Sequence, residues 1–104
     1  MFEIRCAEEK DCELILQFIR RLADYEKLLH EVTATVDDVR RELFSATPSA
    51  HALIAYEDDK PVGFALYFYN FSTFLTRRGL YLEDIFIEPD YRGKGYGKAL
   101  LRYL

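Results

Sequence analysis

A glycine-rich stretch between an apolar segment and a second apolar run, near the end of the chain, limits what this sequence can fold into more than any other feature. Residues 92–98 read Arg-Gly-Lys-Gly-Tyr-Gly-Lys, after the apolar segment 82–87 and before the apolar run 99–101. Where a loop enters a helix, backbone N–H groups converge with the positive end of the helix dipole, and glycines let an anion approach the backbone closely. The stretch therefore predicts a phosphate-binding loop.

Two well-known phosphate motifs do not fit this stretch. A Walker loop requires Ser or Thr after its lysine, whereas Lys98 is followed by alanine. The dinucleotide motif Gly-x-Gly-x-x-Gly also fails, because counting from Gly93 or from Gly95 places lysine or leucine at the third glycine position. An isolated pair of glycines would indicate only a turn with positive φ angles. The remaining pattern is Arg-x-x-Gly-x-Gly, and its place between a strand and a helix favours phosphate binding.

Apolar periodicity and turn residues predict one mixed domain over residues 1–104. A capping box at Thr35 and Asp38 marks the start of the second helix. The predicted elements are a strand at 2–5, helices at about 9–26 and 36–45, strands at 51–56, 62–70 and 80–87, and a helix starting near residue 99. Turn chemistry covers 57–61, and a looser loop covers 71–78. This order is typical of an α/β or α+β domain with one continuous core.

Composition excludes several classes of protein. Half of the 104 residues are apolar, which excludes a disordered chain, and no apolar run approaches the roughly 20 residues of a membrane span. The first residues lack the pattern of a secretory signal, so we expect a cytoplasmic location. A net charge of −4 argues against nucleic acid and for a cationic small molecule. Cys6 and Cys12 have no partners at metal-ligand spacing and are expected to be buried thiols.

The pattern Arg-x-x-Gly-x-Gly at Arg92, Gly95 and Gly97, after the strand 82–87, resembles the acetyl-CoA signature of the GNAT acetyltransferases. Within that superfamily, segments 80–87, 90–93 and 22–26 are similar to the spermidine/spermine (diamine) acetyltransferases and their thialysine-acetylating relatives. The resemblance implies the N-terminal part of the GNAT acyl-CoA N-acyltransferase fold, with three mainly antiparallel strands before the CoA-binding helix. It also implies transfer of an acetyl group from acetyl-CoA to a primary amine of a small polyamine or related amine.

The same resemblance implies roles for individual residues. It makes Glu83 the residue that binds the amine and acts as its base, with Tyr25 and Glu26 as further substrate contacts. Strand alternation places Glu83 on the face of Ile85 and Ile87, and Asp84 on the opposite face with Phe86, so the two acids are not expected to act as a dyad. The implied contacts to acetyl-CoA are Ile85, Phe86, Ile87, Arg92, Gly93, Lys94, Gly95, Tyr96, Gly97 and Lys98.

The resemblance also implies elements that would follow residue 104. The family continues with a further strand and with a helix whose tyrosine protonates the departing thiolate, and closing strands complete a homodimer. We therefore expect an N-acetyltransferase domain cut on its C-terminal side, with low activity on its own and a tendency to form dimers. A second function stays open, namely a non-catalytic fragment that binds acyl-CoA or mediates dimerisation.

Overall fold

The computed structural model describes all 104 residues as three helices and four strands. Short 3-10 turns at Glu9–Asp11, Leu29–Glu31 and Pro89–Tyr91 join the longer elements. In chain order the elements are β1 (Phe2–Cys6), α1 (Cys12–Tyr25), α2 (Val36–Phe44), β2 (His51–Glu57), β3 (Lys60–Ser72), β4 (Arg77–Ile87) and α3 (Tyr96–Tyr103). The predicted order of elements is confirmed.

The four strands form one antiparallel sheet in the order β1-β2-β3-β4. The two hairpin turns are tighter than expected. Asp58 and Asp59, with φ angles of 49° and 68°, make a two-residue turn where turn chemistry predicted five residues. The expected loop 71–78 is also shorter, because β3 and β4 stay paired as far as Ser72 and Arg77. Since β4 pairs with β3 alone, it is an edge strand.

Local sequence signals set most of the helix ends, but α3 begins at Tyr96, before the expected start near residue 99. The capping box at Thr35 is confirmed, since Asp38 N–H donates to the Thr35 hydroxyl at 3.2 Å and Thr35 N–H donates to the Asp38 carboxylate at 2.9 Å. The helix expected from about residue 9 begins as a 3-10 turn and becomes α1 at Cys12. A capping box between Glu8 and Asp11 closes that first turn.

Helices cover both faces of the sheet. Helices α1 and α2 pack on one face, where Phe18 and Phe64 are fully buried with stacked rings 5.4 Å apart. On the other face Leu100 of α3 is fully buried against Leu53 and Ala65. The expectation of two buried thiols is half right, because Cys12 is buried and Cys6 is exposed. None of the helices has the length and apolar character needed to cross a membrane.

A β-bulge interrupts β4 at Glu83. Leu66 pairs with Asp84 while the next residue, Tyr67, pairs with Leu82, so Glu83 is an extra residue without a partner. The bulge explains why Leu82 and Ile85 share the α3 face of the sheet, which strict alternation forbids. The predicted separation of Ile85 and Ile87 from Phe86 is confirmed, because the bulge lies before these three residues.

Candidate active site

A cleft of about 640 Å³ opens where the end of α1, the end of β4 and the start of α3 meet. It exists because α1 and α3 pack on opposite faces of the sheet and both reach the same end of the edge strand. The lining residues are Leu22, Tyr25, Glu26, Ile85, Phe86, Ile87, Tyr91, Arg92, Gly93, Gly95, Tyr96, Gly97 and Lys98. The structure thus brings together all the predicted site residues except Glu83 and Lys94.

The glycine loop presents a row of free backbone donors to this cleft. None of the N–H groups from Gly93 to Lys98 donates to another group of the chain, and the first bond of this turn runs from Ala99 N–H to Gly95 O at 3.0 Å. Gly93 and Gly95 both have a φ of 82°, a conformation that side chains rarely adopt. A Cβ atom built on Gly97 would meet nothing within 4 Å, so the space above the loop is open. This geometry suits an anion with several oxygens.

Arg92 fixes the start of the loop. Its Nε–H donates to the Ile87 carbonyl at 2.8 Å, and its guanidinium lies over the Tyr25 ring at 4.5 Å and the Phe86 ring at 5.3 Å. These contacts direct the side chain back towards α1 and β4. Arg92 therefore holds together the three elements that form the cleft.

The two lysines of the loop are exposed, whereas its tyrosine is hydrogen-bonded to the sheet. Lys94 and Lys98 are exposed, and the Lys94 ammonium lies 5.3 Å from the centre of the Tyr91 ring. The Tyr96 hydroxyl donates to the Glu57 carboxylate at 2.5 Å. That hydrogen bond, with burial as the next cause, raises the pKa of Tyr96 to about 12. Exposed positive charge therefore lies next to the row of donors, while the Tyr96 hydroxyl is bonded to Glu57.

The end of β4 offers further backbone donors. Glu88 N–H donates to Val62 O at 2.8 Å, and hydrogen-bonded pairs alternate along an antiparallel ladder. The alternation directs the N–H of Phe86 towards β3 and those of Ile85 and Ile87 towards the unpaired edge. Two of the three predicted backbone contacts therefore face open space beside the loop.

Acidic side chains lie at the α1 end of the cleft. Glu26 lines the main cleft and also a neighbouring groove of about 180 Å³, which it shares with Asp84 and Glu31. Asp84 is half-buried, and burial raises its pKa, followed by the negative charges of Glu83 and Glu26. Glu83 itself is exposed at the bulge. The arrangement concentrates negative charge where a cation would be stabilised.

Sequence reasoning passed over Asp84 as a site residue. The signal was present, because alternation placed this carboxylate on the same face as the buried Phe86. An acid on a buried face keeps its charge only near a cation or at a cost, which marks such a position as a candidate for function.

Two curated relatives of this chain are named as acetyltransferases or as similar to them. The thialysine N-epsilon-acetyltransferase of Bos taurus is 40% identical over 95% of this chain and 62% of its own length. The spermidine/spermine N(1)-acetyltransferase-like protein 1 of Homo sapiens is 38% identical over 99% of this chain and 16% of its own. The chain thus spans less than two thirds of the thialysine acetyltransferase that it matches.

Solved structures share the fold at low sequence identity. A predicted acetyltransferase with acetyl-CoA from Clostridium acetobutylicum superposes with a TM-score of 0.78 at 22% identity, over 99% of this chain and 70% of its own. The sequence also matches the family described as Acetyltransferase (GNAT) over residues 15–104, which include the cleft and the glycine loop. On this match, the chain belongs to the GNAT acetyltransferase family.

Proposed function

We propose that this chain supplies the acetyl-CoA site and part of the amine site of an N-acetyltransferase that acts on a primary amine of a small polyamine or related amine. The observation that carries the proposal is the single cleft in which the free donors of residues 93–98 lie beside the end of β4 and the acidic end of α1. Acetyl-CoA, when bound, would supply the thioester whose acetyl group is transferred.

The residues present fit the phosphates of that cosubstrate. The N–H groups of residues 93–98 would bind the pyrophosphate oxygens, and the open space above Gly97 leaves room for them. Lys94 and Lys98 would add charge from the rim. The residues assigned to this contact are Arg92, Gly93, Lys94, Gly95, Tyr96, Gly97 and Lys98, with Arg92 shaping the loop.

The edge of β4 would bind the acyl part of the cosubstrate. The outward N–H groups of Ile85 and Ile87 are fixed by the sheet and need no reorientation. A fixed donor close to a carbonyl oxygen stabilises the negative charge that develops there during acyl transfer. Phe86, whose N–H faces β3, would hold this strand in place through its buried ring.

The carboxylates would handle the amine. An alkyl amine with a pKa of about 10.4 is mostly protonated at neutral pH, so the cation must be bound and then deprotonated. Glu26 and Asp84, beside Tyr25, would attract the ammonium group. Glu83, exposed to water at the bulge, would accept the proton directly or through a water molecule.

Self-association and location belong to the same proposal. The unpaired edge of β4 ahead of the bulge and the exposed apolar side chains of its hairpin, among them Phe74 and Leu75, favour a homodimer. A cytoplasmic location is part of the same proposal. Fractionation of cells that produce the protein tests the location.

The test is calorimetric titration of the chain with acetyl-CoA, followed by radiolabelled acetyl transfer to spermidine, thialysine and lysine. We expect saturable CoA binding and transfer to at least one amine. The transfer rate should increase in a longer protein that also contains a segment homologous to the remaining part of the relatives. A chain that fails to bind CoA would contradict the proposal. If the longer protein also binds CoA without transferring acetyl groups, the alternative function of a non-catalytic domain that binds acyl-CoA would be favoured instead.

A further inference from the structure

The tyrosine within the glycine loop lines the cleft, but its hydroxyl is bonded to a residue of the sheet. Tyr96 is the first residue of α3 and follows Gly95, which has a left-handed backbone. Its hydroxyl donates to Glu57 at the end of β2, and its ring stacks on Phe2 of β1, with ring centres 4.0 Å apart and an interplanar angle of 15°. The side chain thus joins the first turn of α3 to strands β1 and β2.

We propose that Tyr96 and Glu57 are a positioning pair, which fixes the first turn of α3 so that its backbone N–H groups are aligned for the cosubstrate's phosphates. The inference rests on the proposed function and deepens it, because it changes Tyr96 from a cofactor contact into a residue that acts through the backbone. Arg92 holds one end of the loop, and the pair holds the other.

The glycines make such an anchor necessary. Gly93, Gly95 and Gly97 have no side chains that could pack, and a Cβ on any of them would meet nothing within 4 Å. Helix α3 has only eight residues, and its first turn lacks the side-chain cap that usually holds an N-terminus. Donors that are aligned before binding avoid the cost of ordering them on binding. The hydrogen bond between a phenol and a carboxylate is of the stronger, charge-assisted kind.

Electrostatic repulsion alone predicts that loss of the Glu57 carboxylate strengthens CoA binding, which is the opposite of what a positioning role predicts. A carboxylate at the end of β2, joined to the phosphate loop through Tyr96, repels a phosphate, so removal of its charge would strengthen CoA binding if charge alone mattered. A positioning role predicts weaker binding when the acceptor is lost and unchanged or stronger binding when only the charge is lost. The sign of the change therefore distinguishes the two explanations.

The experiment measures the Kd of CoA by calorimetry for the full chain and five variants. Tyr96→Phe keeps the ring and removes the donor, Glu57→Leu removes the acceptor, and Glu57→Gln keeps an acceptor without charge. Tyr103→Phe is the matched control, since this tyrosine lies on the same helix, is exposed and has no hydrogen bond from its hydroxyl. The fifth variant combines Tyr96→Phe with Glu57→Leu.

We expect Tyr96→Phe and Glu57→Leu each to weaken CoA binding by about 5- to 20-fold, and the double variant to be no weaker than either. Glu57→Gln and Tyr103→Phe should stay within about twofold of the original Kd. Far-ultraviolet circular dichroism should be the same for all of them.

Undiminished binding by Tyr96→Phe, multiplied losses in the double variant, or tighter binding by Glu57→Leu would each overturn the positioning pair while leaving the proposed function intact. A chain that binds no CoA before any substitution would overturn both. If Tyr96→Phe does not fold, Glu57→Leu and Glu57→Gln still decide the question, because only the loss of the acceptor should weaken CoA binding.

Discussion

The guanidinium carbon of Arg92 lies 4.5 Å from the centre of the Tyr25 ring, and this contact closes one side of the cleft. Tyr25 is the last residue of α1, and Arg92 is the first residue of the glycine loop. The contact therefore joins the wall assigned to the amine to the loop assigned to phosphate. A second link runs nearby, where Arg21 donates to Glu88 at 2.9 Å. Together these contacts connect α1 with the segment between β4 and α3.

Removal of the Tyr25 ring should weaken CoA binding, because the ring supports Arg92 at the start of the glycine loop. A guanidinium over an exposed aromatic ring contributes roughly 0.5–1 kcal/mol, so Tyr25→Leu should raise the Kd of CoA by about 2- to 5-fold. Tyr25→Phe keeps the ring and should leave the Kd unchanged. Calorimetry on the two variants checks this, and an equal loss in both would point to the hydroxyl instead.

A larger side chain at Gly97 should change affinity and stability in opposite directions. The position is helical, with an ordinary φ and open space around it, so Gly97→Leu should raise the melting temperature, since glycine costs about 1 kcal/mol in a helix. The new side chain would cover the free N–H groups and raise the Kd of CoA at least about tenfold. A raised melting temperature with an unchanged Kd would refute the phosphate-binding assignment.

Neutral replacements of the two neighbouring acids should separate their roles in an intact-length acetyltransferase that contains this chain. Glu83→Gln should keep CoA binding and lower kcat by roughly 10²-fold, most visibly at neutral pH, where deprotonation of the amine limits the rate. Asp84→Asn should mainly raise the KM for the amine. A kcat/KM for Glu83→Gln that matches the parent from about pH 6 to 9 would reduce Glu83 to a surface residue.

The contribution of Asp84 to the free energy of unfolding should be less favourable at neutral pH than at acid pH. Its pKa is raised from 3.8 by burial and by the charges of Glu83 and Glu26, so the folded chain binds this proton more tightly than the unfolded chain. The free energy of unfolding therefore falls as pH rises from 3.8 through the raised pKa, and stays lower above it. Asp84→Asn should raise the melting temperature by roughly 2 °C near pH 7 and by nothing near pH 3. A lowered melting temperature near pH 7 would contradict this.

The edge of β4 should drive self-association of the purified 104-residue chain. Leu80 is 40% exposed on this strand, and a lysine on an edge strand opposes pairing with another strand. Light scattering should show a dimer or larger species for the parent chain and a shift towards monomer for Leu80→Lys. Leu101→Lys, the same change at an exposed position of α3, should leave association unchanged. A monodisperse parent monomer with full acetyltransferase activity would contradict both the edge argument and the expected low activity.

Local signals in the sequence predicted most of the elements. The capping box at Thr35 and the apolar periodicity of α1 act over three or four residues, so they can be recognised without knowledge of the rest of the chain. The hairpins were less predictable. The extent of β3 and β4 beyond residue 70 depends on cross-strand pairs such as Phe71 with Arg78 and Ser72 with Arg77.

For the candidate site, the sequence by itself determined the chemistry that the chain offers, namely a glycine loop flanked by cations and two consecutive acids within the preceding strand. These are properties of neighbouring residues. The tertiary structure alone decided which side chains face the cleft. The bulge at Glu83 leaves that acid exposed and Asp84 half-buried, and the direction of Tyr96 depends on Glu57, 39 residues away. A strand register or a long-range hydrogen bond depends on how distant segments pack, which no local pattern contains.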